Sequence, residues 1–283
     1  MKSTVPSGPR RLLDIAAQKA PAPALAPKPG PAPAKEGALA RIERTKRLRV
    51  SGPAGELPYL TRDQPGKPWR GLCVDMGRNL ATQIEVEYEI VESSAAKAAE
   101  DLQAGRFDLF FGLAPSAVLA RNVDLSRPLY DDAVVIIAGK DFAAKRWSEL
   151  GVPRTRVAVE SNTPAEAIAH RFAADATITG FKSHDEALAA VKSQRSDCCV
   201  ATVLAALRWM KDDSQLGQLV IPAPIIGLPV CAALAYDEDG RLREVVNAWC
   251  EDNRSSGQTR EWILGALTET GLKTDVLPPD LAF

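Results

Sequence analysis

Only a few residues in this chain have the type and spacing that chemistry requires. The two histidines, His170 and His184, are far apart, and neither lies in a nucleophile motif. Ser–His–Asp and Cys–His catalysis therefore find no support. The five cysteines are Cys73, Cys198, Cys199, Cys231 and Cys250. An odd number with no CxxC spacing is neither a disulfide framework nor a zinc site. Cys198 and Cys199 are adjacent in an apolar run, where a strand would send them to opposite faces, and all five are expected to be buried thiols. Glu56, Glu160 and Glu166 are the candidate general acids, but none has a base beside it in the sequence. What remains is the chemistry of a helix start. In "VESNTPAEA", Thr163, Pro164 and Glu166 form a capping box with proline at the first helical position. Backbone N–H groups at Asn162 and Thr163 could there hold an anion or a carbonyl. Pro164 removes one donor and Glu166 adds negative charge, so this anion site is weak. No metal, cofactor or catalytic set emerges, and the expectation is a binding protein rather than an enzyme.

The elements that must position these residues read as an α/β protein. Hydrophobic content is 46%, charged content 25% and net charge −1. This is an ordinary globular composition with no electrostatic support for nucleic-acid binding. No apolar run approaches the roughly 20 residues that span a bilayer. From Lys46 onward, "RLRVSG" reads as a strand and "GLCVDMGRNLATQI" as a helix with Leu72, Met76, Leu80 and Ile84 on one face. "EVEYEIV" alternates as a strand. "AKAAEDLQAGR" is a helix stopped by Gly105, and "FDLFFGL" is an apolar strand. This β-α-β-α-β order implies parallel pairing under helices. A second unit follows, with "RVAVES" and "SDCCVAT" as strands, capped helices opening at Thr163 and Ser183, and "VLAALRWMKDD" as a helix. A further strand, "VCAALAY", precedes closing helices that have no sheet of their own.

The first 45 residues differ. "APAPALAPKPGPAPAKEG" is a semi-rigid Pro/Ala spacer. Ahead of it, residues 10–20 carry Leu12, Leu13, Ile15 and Ala16, one apolar face of a short helix. Residues 1–45 are assigned to an arm, disordered or docking on a partner. Arg10–Arg11 precede no adequate apolar segment, so no export signal is assigned.

Taken in order, these segments resemble the periplasmic solute-binding proteins of ABC importers, in the class for polar amino acids. The resemblance spans about residues 47–267 and rests on "LRVSGPAGELPYL", "GLCVDMGRNLA", "LQAGRFDLFFG", "RNVDLSRPLY", "VAVESNTPAEA" and "EALAAVKSQRSDCCVAT". It implies a type II periplasmic-binding fold. Each of its two lobes is a sheet flanked by helices, and a ligand cleft lies at the hinge between them. One lobe would comprise residues 46–138 and 234–283, the other residues 139–233. It also implies periplasmic location and an ABC permease as partner.

The resemblance implies ligand contacts at Tyr59, which would stack over the ligand, at Ala114, Ser116 and Leu119 in the turn before "VDLS", at Asn162 and Thr163, and at Thr202. Two of these positions depart from the family. Leu119 stands where an arginine usually forks onto the ligand's carboxylate. Arg121 falls about 200° around a helical turn from it and is expected at the surface. Thr202 stands where an aspartate usually holds the ligand's ammonium. With both charged groups missing, the cleft is expected to take a small molecule other than a standard amino acid. The alternatives are a degenerate accessory or scaffold subunit and a dehydratase-like enzyme on the same fold. The accessory subunit would resemble the solute-binding-like proteins of methanol dehydrogenase operons, with its arm docked on an oxidoreductase.

Overall fold

The computed structural model describes residues 36–139, 142–212, 217–275, 277–278, 281 and 283. The proposed docking segment at 10–20 and most of the Pro/Ala spacer lie outside the described residues. Helix α1 (Ala38–Thr45) is followed by strand β1 (Arg47–Ser51), α2 (Leu72–Gln83), β2 (Glu87–Ile90), α3 (Ala98–Gln103) and β3 (Leu109–Leu113). Then come β4 (Asp124–Ala138), α4 (Trp147–Leu150), β5 (Arg156–Glu160), α5 (Pro164–Phe172), β6 (Thr177–Phe181) and α6 (His184–Lys192). The chain closes with β7 (Cys198–Thr202), α7 (Val203–Asp212), β8 (Gln218–Val220), β9 (Gly227–Leu234), α8 (Arg241–Ser255) and α9 (Gln258–Glu269).

One strand belongs to two sheets. Residues 124–133 of β4 pair antiparallel with β9, which continues through β3 and β1 to β2. Residues 134–138 of the same strand pair with β7 and β8, and β7 continues through β5 to β6. Among the described residues, eight strands thus form one hydrogen-bonded path, β2-β1-β3-β9-β4-β7-β5-β6, and β8 pairs with β4 beside it. Within it, the β1–β2–β3 and β5–β6–β7 groups are parallel, as the two β-α-β runs require. The closing helices α8 and α9 pack on the first sheet through Val246, Trp249 and Ile263. Cys198 enters the core on one face of the second sheet and Cys199 the core on the other, as strand alternation predicts. All five cysteines are free and buried.

The arm is shorter than expected. Residues 38–45 form α1, which buries Leu39 and Ile42. Arg41 of this helix and Arg49 of β1 both place a guanidinium nitrogen 2.7 Å from the carboxylate of Asp108. Asp108 also accepts the Arg49 N–H at 2.8 Å. Leu39 and Ile42 share a helix face at i, i+3, a signal that is faint in only two turns of helix.

Gly71 sets the loop that leads to the candidate site. Its φ of +108° suits glycine, and a Cβ there would lie 2.5 Å from the Pro58 carbonyl oxygen and 2.7 Å from that of Tyr59. Those same carbonyls accept the first N–H groups of α2, from Leu72 and Cys73, at 3.0 Å each. They fill the donors that every helix start leaves open. Replacing Gly71 with alanine is expected to lower unfolding free energy by about 2 kcal/mol or more. Urea denaturation monitored by tryptophan fluorescence measures it, and an unchanged midpoint would contradict the tight approach.

Candidate functional site

Open α/β sheets hold ligands beyond the carboxyl ends of their strands. The loops leaving β1 and β3 carry Tyr59, Ala114, Ser116 and Leu119, the loop leaving β5 carries Asn162 and Thr163, and Thr202 ends β7. An ion pair of 3.0 Å between Arg208 of α7 and Glu56, just before Tyr59, joins the two sides.

Tyr59 and Thr202 come together around a residue the sequence reading did not single out, Asp132 of β4. The ring of Tyr59 lies against Gly112, where a Cβ would meet Cε1 at 3.0 Å. Its hydroxyl accepts a hydrogen bond from the Tyr130 hydroxyl at 3.1 Å. Burial, with the negative charge of Asp132 behind it, pushes the Tyr59 hydroxyl well above the usual phenol range. Asp132 itself is buried. Its carboxylate accepts the N–H of Leu204 at 3.2 Å, and the nearby Thr202 hydroxyl and Val203 N–H also favour its charged form. It therefore caps α7 from the neighbouring strand, as a carboxylate at a helix start should. Burial nonetheless raises its pKa to about 7, outweighing those hydrogen bonds. The available signal was the pair Asp131–Asp132 leading into "AVVIIA". Period-two alternation puts Asp132 on the same face as the buried Val134 and Ile136.

The other predicted positions serve the chain itself. Ala114 and Ser116 are exposed, and Ser116 Oγ accepts the Leu119 N–H at 3.1 Å. Leu119 turns into the apolar cluster of Phe107 and Phe110, and Arg121 is exposed. Asn162 adopts a left-handed φ of +63°, and its N–H donates to Glu166 Oε2 at 2.7 Å. Thr163 caps α5 by accepting the Glu166 N–H at 3.3 Å, while its hydroxyl donates to the Glu160 carbonyl at 2.8 Å.

A second group of ionisable residues lies beside these. His184 Nδ1 contacts Glu160 Oε2, and the imidazole packs against Trp209 with ring centroids 4.3 Å apart and planes tilted by 37°. Burial, then the nearby Arg208, lowers its pKa to about 4. Burial, then Asp185, raises the pKa of Glu160. Among the described residues no group of three or more His, Cys, Asp or Glu side chains could hold a metal ion. Nor is any described helix long and apolar enough to cross a membrane.

Residues 48–262 match the bacterial extracellular solute-binding proteins, family 3, and the chain belongs to that family. Among solved structures, an ancestral cationic amino acid solute-binding protein is 26% identical with a TM-score of 0.62, covering 83% of this chain and 99% of its own. An arginine-bound amino acid ABC transporter substrate-binding protein from Streptococcus pneumoniae is 20% identical with a TM-score of 0.58, covering 82% and 98%. An ancestral cyclohexadienyl dehydratase is 23% identical with a TM-score of 0.57, covering 80% and 96%. The comparison with curated proteins gives no match. The architecture is the two-lobed type II periplasmic-binding fold of these neighbours.

Asp132 gives a measurable pH dependence. Its folded pKa of about 7 exceeds the usual carboxylate value of roughly 3.9. The folded state therefore binds the proton more tightly. The associated stability is complete below about pH 4 and is lost as pH rises through about 7. An Asp132→Asn variant keeps an acceptor for the Leu204 N–H and carries no charge. From pH 5 to pH 8 its stability relative to the parent should rise by on the order of 3 kcal/mol. Parallel stability–pH curves for the two proteins would show that Asp132 titrates normally.

Proposed function

We propose that this family 3 solute-binding protein closes on a small solute other than a standard amino acid and presents it to an ABC permease in the periplasm. The partner change in β4 moves the expected boundaries, so that residues 38–133 and 227–283 form one lobe and residues 134–226 the other, and the solute sits between Tyr59 and Thr202. The observation that carries this reading is the orientation of Leu119. At the position where the family resemblance expects a carboxylate-binding arginine, the side chain is apolar and half-buried, packed against the cluster of Phe107 and Phe110. Thr202 is neutral where an ammonium-binding aspartate is expected. Seating a carboxylate in a closed cleft without a partner costs several kcal/mol.

An enzymatic reading has less to stand on. Each candidate acid has a structural task. Glu56 pairs with Arg208, Glu160 contacts His184, and Glu166 receives the Asn162 N–H. One fold neighbour is an ancestral cyclohexadienyl dehydratase, but at 23% identity the likeness extends to the fold alone.

Titration calorimetry against the twenty standard L-amino acids is expected to show no micromolar binding, and micromolar binding of any polar one would overturn the reading. Native mass spectrometry of protein purified from its source should show a co-purifying small molecule of another kind.

A further inference from the structure

We propose that the cleft selects a small organic cation that presents an amine and carries no carboxylate, and that Glu166 is a specificity-determining residue. This rests on the reading of the cleft as a solute site. It follows from asking which donors and which charges the cleft has left to offer.

The donors are largely consumed. The start of α5 is the natural seat for an anion, since its open N–H groups and helix dipole favour negative charge. Here Glu166 fills it, taking the Asn162 N–H at 2.7 Å, while the hydroxyl of Thr163 takes the Glu166 N–H. Proline at position 164 removes another donor. The start of α7 is likewise taken by Asp132. Ser116 spends its oxygen on the Leu119 N–H. A ligand carboxylate would have to displace one of the chain's own groups at each of these places.

The charges point the same way. An arc of ionisable groups runs from Asp132 past the Tyr59 hydroxyl, which is in electrostatic reach of both Asp132 and Glu56. It continues through the Glu56–Arg208 pair to His184, which lies near Arg208 and contacts Glu160. Three carboxyl groups lie along this arc with one guanidinium, which is committed to Glu56; burial holds Asp132 partly protonated near pH 7, and the others leave the arc net negative. His184 is neutral at pH 7. The tyrosine ring of Tyr59 supplies a face that attracts a cation. The arc therefore favours positive charge and offers a negative group nothing to pair with.

The test uses matched pairs that differ by one carboxylate: agmatine against arginine, and 1,4-diaminobutane against ornithine, titrated by calorimetry into the full chain. The expected result is that each amine binds at least about tenfold more tightly than its amino acid. A Glu166→Ala variant, shown to be folded by circular dichroism and thermal unfolding, should narrow that ratio by freeing the Asn162 N–H. Glu166→Gln keeps an acceptor and should leave it nearly unchanged. Amino acids binding as tightly as their amines would overturn the proposal, as would a ratio indifferent to Glu166→Ala. If neither pair binds, the amine assignment fails. The solute-binding reading then stands or falls separately, on whether native mass spectrometry finds a different small molecule on the source-purified protein.

Discussion

Strand β4 changes partner partway along its length, and the geometry of the cleft depends on that change. Ala133 is still in register with Gly227 of β9, and Val134 is already in register with Thr202 of β7. A slip of one residue in either pairing would exchange every inward and outward side chain beyond it. The two sheets therefore fix each other's register through one backbone. Residue 132 sits one position before the change, on the face it shares with Val134 and Ile136. Its carboxylate emerges where the first turn of α7 begins. An acid buried there has to find donors, and the N–H groups of that turn are the ones within reach.

This local solution recurs around the cleft and gives it its character. Helix starts are the usual source of spare N–H groups in α/β proteins, and ligands with negative charge exploit them. In this chain, carboxylates on the chain itself have taken the donors at α5 and α7, and a serine has taken one in the turn after β3. Each contact is an ordinary cap worth on the order of 1 kcal/mol. An incoming carboxylate would need to break a cap at any of these places, and at α5 and α7 it would also meet the carboxyl group that made the cap.

How far the sequence carries this argument varies from residue to residue. The parallel β-α-β runs, both capping boxes and the opposite facing of Cys198 and Cys199 were legible, because each follows from periodicity or from a local hydrogen bond. Glu166 was legible as a group that weakens an anion site, and its contact with the Asn162 N–H is the physical form of that weakness. Leu119 was legible as a missing arginine, but its packing against Phe107 and Phe110 was not, because that contact depends on tertiary placement. Asp132 was missed for the same reason. Its partners, Thr202, Val203 and Leu204, are about seventy residues away, and no local pattern joins them. Strand β6 was also overlooked. Its residues Thr177–Phe181 are partly exposed, so its apolar alternation is weak, and its pairing with β5 defines it.

Helix α7 then links the hinge to the rim. Its first turn is held by Asp132 from β4. Further along, Arg208 reaches Glu56 at 3.0 Å and Lys211 Nζ donates to the Thr270 carbonyl at 2.6 Å. Ten residues of helix span about 15 Å, so one rigid rod connects the partner change in β4 to the loop that carries Tyr59. The strengths of the two ends differ. The Asp132 cap is buried and satisfies the Leu204 N–H. The Arg208–Glu56 pair has side chains 29% and 46% exposed, and a pair so wet is worth roughly 0–1 kcal/mol. The ion pair is therefore a weak tie between α7 and the loop that carries Tyr59, whereas the buried cap holds the start of the helix against β4.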